Sequence, residues 1–294
     1  MTDANAPSAK LIDGRRIAQE VRAEWKQRAD RLRQQGVTPG LAVIIVGENP
    51  ASKLYVRNKL RACLEMGIRG EEQRYPLETP EEVVLEKIRA LNRDPALHGI
   101  LVQLPLPPQV SVRRVLEAIS PDKDVDGFHL YNVGGLITGE TVFPPCTPYG
   151  VMMLLERTGI PIAGQNATVV GASNIVGKPM GLMFLQREAT VAICHVKTRD
   201  LAQYTIAADI LVVAAGHPNL ITAPMVRTGA VVIDVGINRG ADGQLIGDVH
   251  FESVSRKASY ITPVPGGVGP MTVTMLLCNT IASAERFAAA ARAA

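Results

Sequence analysis

The chain has 294 residues, a formal net charge of +3, 47% hydrophobic residues and 20% charged ones. That length exceeds the commonest single-core domain, so two domains are expected, with the balance of a soluble globular protein. The small charge, with no dense Lys/Arg run or interleaved aromatics, argues against nucleic acid as a partner, and no apolar run is long enough for a membrane span.

The first stretch, "MTDANAPSAKLIDG", has no apolar core of a secretory signal. Residues Gly14 to Gln35 carry helix formers, with apolar positions near Ile17, Val21, Trp25 and Leu32. "LAVIIVG" (41–47) is β-branched and ends in Gly, as a buried strand would. "PASKLYVRNKLRACLEMG" (50–67) predicts a helix with Pro50 in its first turn and Gly67 at its stop. "TPEEVVLEKIRALN" (79–92) predicts another, with Thr79 as N-cap, Pro80 in first position and Glu82 completing a capping box. A strand over 98–107, cut off by prolines, and a short helix over 111–119 follow.

"FPPCTPYG" (143–150) punctuates the chain. Thr147 and Pro148 open a helix to about Arg157, and a second α/β series begins. Its strands are 167–171, 190–194, 209–216 and 230–236, with helices near 178–187, 199–207 and 224–228. After "PGGVGP" (265–270) a long helix runs from Met271 into an alanine-rich tail. Strands alternating with helices give the class α/β with a mostly parallel sheet. The four cysteines, Cys63, Cys146, Cys194 and Cys278, form no C-x-x-C and have no His cluster beside them. Reduced, mostly buried thiols of a cytoplasmic protein are expected, with no metal.

Several stretches bear polar groups where ligands bind. "VVGASNIVGKP" (169–179) has a strand before it and a helix after it, as a dinucleotide fingerprint requires. Gly171 takes the first glycine's place, but Ser173 holds the second and Gly177 comes one step late. About 20 residues on, where such folds often carry an acid for the ribose, the chain has "CHVKTRD", with His195, Lys197 and Arg199. Cations there suit a ribose 2′-phosphate; a solvated basic turn is the plainer reading. Tyr55 and Lys59 are four apart on the helix over 50–67 and share a face, which for most such pairs is only exposed surface. Gln103 interrupts an apolar strand near its C-terminal end, where core satisfaction and ligand contact are equally open. In "DKDVDGF", Asp122, Asp124, Asp126 and Gly127 match the start of a calcium loop, but the twelfth position is Val133, so the calcium reading fails. A carboxylate turn remains, able to accept paired hydrogen bonds from the N–H donors of a ligand ring. "PVPGGVGP" lets backbone approach a flat ligand, or is a rigid turn before a helix.

In this order the blocks "GLAVIIVGENPAS", "YVRNK", "GILVQLPLP", "PDKDVDGFH", "PCTP", "GASNIVGKP", "VIDVGIN" and "YITPVPGGVGPMT" resemble the bifunctional methylenetetrahydrofolate dehydrogenase/methenyltetrahydrofolate cyclohydrolase family, over nearly the whole chain. The resemblance implies two reactions. A hydride passes from 5,10-methylenetetrahydrofolate to NADP+, and water then opens the methenyl product to 10-formyltetrahydrofolate. It also implies a two-domain α/β fold with a cleft: a folate-binding catalytic domain over 1–146 plus 271–294, and a Rossmann-like NADP-binding domain over 147–270. A homodimer is implied as well. By the same resemblance Lys59 is the catalytic lysine, Gln103 its hydrogen-bond partner, Tyr55 the ring that stacks on folate, and Asp126 the carboxylate that holds the pterin. Gly266 and Gly267 would close against folate. Gly171, Ala172, Ser173 and Ile237 would contact the cofactor. Many members have Ser where this chain has Val196, and some have Arg where it has Ala172. Both positions lie near the 2′-phosphate, which leaves the preference for NADP over NAD to Lys197 or Arg199.

Overall fold

The structure is a computed structural model that describes residues 9–240 and 243–293. In chain order, β1 (Lys10–Leu11) leads into α1 (Gly14–Gln34), β2 (Gly40–Val46), α2 (Pro50–Glu65), β3 (Arg69–Tyr75), α3 (Glu81–Arg93) and β4 (Gly99–Val102). Then come α4 (Val112–Ala118), α5 (Leu130–Thr138), α6 (Cys146–Thr158), β5 (Asn166–Val170), α7 (Gly177–Gln186), β6 (Thr190–Cys194), α8 (Leu201–Thr205) and β7 (Ile210–Val213). A 3-10 turn (Ala223–Met225) precedes β8 (Val231–Asp234), β9 (Asn238–Arg239), β10 (Leu245–Ile246), α9 (Phe251–Ser255), β11 (Tyr260–Ile261) and α10 (Val268–Ala293). Two compact units result, one of residues 19–146 and 273–294, the other of residues 1–18 and 147–272.

The first unit is built on a parallel sheet in the order β3-β2-β4. Every residue of β2 is buried, which its run of β-branched and small apolar side chains permits only for a central strand. Ile44, Val46, Ile100 and Val102 meet Val84, Ile88 and Val115 in one apolar cluster, each such side chain contributing about 1.5–3 kcal/mol by burial. Helix α3 starts one residue later than its sequence suggests. Pro80 is its N-cap, extended at φ −62° and ψ 144°, with no side-chain cap. The expected capping box is absent because Glu82 turns outward to Arg89 and Arg114.

The second unit has a six-stranded parallel sheet in the order β1-β11-β8-β7-β5-β6. From β5 the chain moves outward to β6, then returns to the other side for β7. That reversal is the topological switch point at which open α/β sheets bind ligands. Val170, Leu211, Val213, Val232 and Ile261 fill its core. The expected boundary placed the N-terminal segment in the catalytic domain. Here Lys10 and Leu11 pair in parallel with Tyr260 and Ile261, so that segment extends the sheet of the second unit.

Candidate functional site

In the first unit, Asn49 opens α2. Its side-chain oxygen accepts the N–H of Ser52 at 3.2 Å, and Pro50 fills the first position, where no N–H is needed. Val56 and Cys63 face the core, which turns Tyr55 outward at 41% exposure and leaves Lys59 half-buried. Gln103 continues β4, its N–H reaching the Ile44 carbonyl at 2.8 Å. Its amide nitrogen donates to the Leu104 carbonyl at 2.8 Å, which leaves Oε1 to accept from Lys59 Nζ at 3.0 Å. Both ends of the Gln103 amide are thus satisfied within the unit, its oxygen by the lysine.

Between β4 and α5 runs the carboxylate turn. Ile100 N–H bonds the Lys123 carbonyl at 2.8 Å, so the turn lies along β4. The Lys123 ammonium is buried against the C-terminal end of α3, donating to the Leu91 and Asp94 carbonyls at 3.0 and 2.7 Å. The two aspartates then separate. Asp124 folds inward, accepting from His129 N–H at 2.7 Å and from Asn132 Nδ2 at 2.8 Å. Asp126 has no such N–H donors among the described residues. Burial raises its pKa above the usual carboxylate value; the Lys59 charge and the Cys146 thiol pull it down, while Asp124 pushes it further up. Lys59, Gln103 and Asp126 therefore belong to one cluster, with Tyr55 one helical turn from Lys59.

Two residues that sequence reasoning passed over support Asp126. Asn279 of α10 donates to the Val125 carbonyl at 2.9 Å and the Pro144 carbonyl at 3.2 Å. Cys146 donates its thiol to the Val125 carbonyl at 3.2 Å, and burial keeps that thiol protonated. An amide alone in the apolar run "MLLCNTIAS" was the available signal for Asn279. Gly127, at φ +79°, lets the segment 143–145 pass where a Cβ would sit 2.6 Å from Pro144 C and Pro145 N.

In the second unit, β5 ends at the switch point. Gly171, at φ +125°, lies so near the next strand's exit that a Cβ would be 2.2 Å from the Ala214 carbonyl oxygen. Gly177 makes a similar approach: a Cβ there would lie 1.9 Å from the Gly171 carbonyl oxygen. This is why the late glycine is needed: it, rather than residue 176, meets the strand end. Ser173 Oγ accepts the N–H groups of Val176 and Gly177 at 3.1 and 3.3 Å and so ties down the turn ahead of α7, whose N-cap is Val176. The Lys178 N–H is taken as well, by the Ser173 carbonyl at 3.1 Å. In the loop before the helix, the N–H groups of Ala172, Ser173, Asn174 and Ile175 have no partner among the described residues. After β6, the N–H of Lys197 donates to His195 Nδ1 at 3.1 Å, closing a turn that holds Lys197 and Arg199 exposed. Val196 there is 96% exposed and Ile237, after β8, 49%. Gly266 and Gly267 precede α10 and lie against Gly14, whose Cβ would fall 1.8 Å from the Gly267 oxygen.

A switch-point loop with free N–H groups and a basic turn after the next strand define a dinucleotide-binding oxidoreductase domain, here joined to a unit with a lysine–amide–carboxylate cluster. Residues 12–126 match the catalytic domain, and residues 145–288 the NAD(P)-binding domain, of tetrahydrofolate dehydrogenase/cyclohydrolase. The chain belongs to the tetrahydrofolate dehydrogenase/cyclohydrolase family. It is 62% identical to the bifunctional protein FolD of Nitrosospira multiformis, over 95% of this chain and 97% of that one. The crystal structure of the bifunctional FolD enzyme from Campylobacter jejuni superposes with a TM-score of 0.94 at 50% identity, covering 95% of this chain and 99% of that one. The FolD of Trypanosoma brucei, solved with NADP and an inhibitor, gives 0.91 at 39% identity over 95% and 98% of the two chains.

Proposed function

We propose that Tyr55, Lys59, Gln103 and Asp126 carry the folate chemistry and that Gly171, Ala172, Ser173, Lys197 and Ile237 hold NADP. The protein is an NADP-dependent methylenetetrahydrofolate dehydrogenase and methenyltetrahydrofolate cyclohydrolase of one-carbon metabolism. What remains to assign is which group performs each step. The observation that carries the assignment is the 3.0 Å hydrogen bond from Lys59 to Gln103, in a cluster with Asp126.

The pterin ring offers an amino group and a ring N–H side by side, both donors. Asp126 is a partly desolvated carboxylate with unfilled acceptors, and it gains most from such a pair. The exposed Tyr55 ring offers a flat face for stacking. When bound beside the folate, NADP+ would supply the acceptor for a hydride from the methylene carbon. In that step the chain's part is mainly orientation. The second step moves protons. Lys59 takes one from the attacking water and returns one to the departing ring nitrogen, as general base and then general acid, while the remaining hydroxyl proton leaves to solvent as the formyl carbonyl forms. Gln103 fixes the ammonium by accepting one of its hydrogens. Gly266 and Gly267, with no side chains, leave their backbone open to a flat ligand.

The second unit fits NADP by its donor chemistry. Free N–H groups in the 172–175 loop suit a pyrophosphate, and the exposed Lys197 and Arg199 suit a 2′-phosphate. Ser173 keeps its hydroxyl hydrogen for an anion, since its oxygen is used as acceptor. The cytoplasm is the compartment that four free, buried cysteines favour. A homodimer is proposed from the unpaired edge strand β6.

The test is one spectrophotometric assay with methylenetetrahydrofolate and NADP+, following NADPH formation and decay of the methenyl absorbance, repeated with NAD+. Lys59→Met is expected to lower the hydrolysis step by roughly 100-fold or more, the usual worth of a general acid–base, and the oxidation step far less. Equal loss of both, with the fold intact, would remove Lys59 from that role.

A further inference from the structure

At the C-terminal edge of the six-stranded sheet two carboxylates are buried next to each other. Asp234 ends β8 at 4% exposure, and Asp248, just after β10, is fully buried. Their oxygens are taken up by loop groups. Asp234 Oδ1 accepts the N–H of Gly236 at 2.9 Å and of Asp248 at 3.0 Å, and Oδ2 accepts Val249 N–H at 2.9 Å. Asp248 Oδ2 accepts the N–H groups of Ala215 and Gly216 at 2.7 and 2.8 Å, and Oδ1 accepts Asn238 Nδ2 at 2.8 Å.

The glycines beside them are matched to this arrangement. A Cβ on Gly236 would lie 2.2 Å from Asp248 Cγ, and one on Gly247 would lie 1.8 Å from Asp234 Oδ2. Each carboxylate therefore fills the place of the side chain that the other's neighbouring glycine lacks. Burial pushes the Asp234 carboxyl up to about 6 in spite of its three N–H donors. An apolar pair would fill this space at lower cost. What it could not do is bind the exits of two strands to each other.

We propose that Asp234 and Asp248 are positioning residues for the NADP site: a two-carboxylate relay that sets the backbone of Gly236–Ile237 after β8 and of Ala215–Gly216 after β7. The inference rests on the reading that Ile237 borders the bound cofactor. Both loops leave the sheet on the side of the switch point, and Gly171 already touches Ala214, the residue before the second loop. Both carboxylates are buried and each of their oxygens already accepts a hydrogen bond from the loops, so the pair acts through backbone placement.

The experiment uses the full chain and measures NADP+ KM and kcat for oxidation, kcat for methenyltetrahydrofolate hydrolysis, and the melting temperature. Asp248→Ala leaves the Ala215 and Gly216 N–H groups unpartnered and is expected to raise NADP+ KM roughly tenfold or more, the worth of one or two such groups. Asp248→Asn keeps a carbonyl for both and should recover most of that loss. Asn238→Ala cuts the same link from the solvent side, where folding is not at risk, and should raise NADP+ KM several-fold, about what one lost hydrogen bond to a charged group gives. In all three the hydrolysis kcat should stay within about twofold, since Lys59 stands in the other unit and hydrolysis consumes no NADP+. An unchanged NADP+ KM in Asn238→Ala and Asp248→Ala overturns the relay. So does a parallel loss of both activities and of melting temperature, which is the mark of a purely structural role. Ile237→Asp separates the two levels: if it raises NADP+ KM while the relay variants do not, only the relay fails; if it too has no effect, the placement of the cofactor fails.

Discussion

His98 shows what burial does to a titratable side chain in the first unit. It is 4% exposed, its Nδ1 accepts the N–H of Gly40 at 3.1 Å, and Phe287 meets it edge-on. Burial, with Lys123 and Arg69 nearby, lowers its pKa from 6.5 to about 4, Asp94 opposing. The folded protein therefore keeps His98 neutral where the unfolded chain would take up a proton. Its contribution is fully present above pH ~6.5 and is lost as pH falls from there to ~4, amounting to about 3 kcal/mol at most. His98→Asn keeps an acceptor for Gly40 but does not titrate. Chemical denaturation at pH 7 and pH 4.5 should show the wild type losing more stability than this variant across that interval; equal losses would show that His98 is not the group involved. Neighbouring residues also show the limit of sequence spacing. Asp124 and Asp126, two apart, would point the same way in an extended chain. Asp124 instead turns in to hold His129 and Asn132, because the turn's own N–H groups needed an acceptor. Spacing identifies candidate carboxylates, but backbone demand decides which one is left for a ligand.

At the scale of elements, periodic segments were legible and edges were not. Strands β2, β4, β5 and β8 stand within apolar runs because both faces of a parallel sheet are covered. Strand β3, "RGEEQRY", gave no apolar signal, since it lies at the sheet edge and pairs Arg74 with Glu72 across solvent. Helix α5, "LYNVGGLIT", was hidden by two glycines; only Asn132 and Leu136 are buried on it. The irregular fingerprint before α7 was recognised, but its physical reason needed coordinates. Ser173 stands in the middle position because its oxygen holds the N–H groups of Val176 and Gly177 at the entry to α7, and the donors for an anion move back into the loop. Ser173→Ala removes the acceptor of two backbone N–H groups, should therefore cost about 1 kcal/mol of stability, and should also raise the KM for NADP+. A thermal melt and a cofactor titration check both. A stability loss with unchanged KM would confine Ser173 to holding the turn.

For the whole molecule the open question is what pairs with β6. This five-residue strand ends the six-stranded sheet, bonded to β5 on one side only. The opposite end is closed off by β1, only two residues long, as protected edges often are. By contrast β6 carries no charge and presents Ile193 at 41% exposure, with Leu185 of α7 at 56%. An apolar strand edge of this length is a template for another strand, and nothing in its sequence discourages pairing: no Lys, no Pro and no bulge. Two copies related by a two-fold axis would place β6 against β6, each satisfying the other's free N–H and C=O groups. The wild-type chain is accordingly expected to sediment as a dimer at micromolar concentration. Ile193→Lys puts a charge into that edge and should shift the population to monomer while leaving the sheet intact, because the side chain is already partly in water. Sedimentation velocity on both proteins decides it. A monomeric wild type, or an Ile193→Lys variant as dimeric as its parent, would place the self-contact elsewhere or remove it.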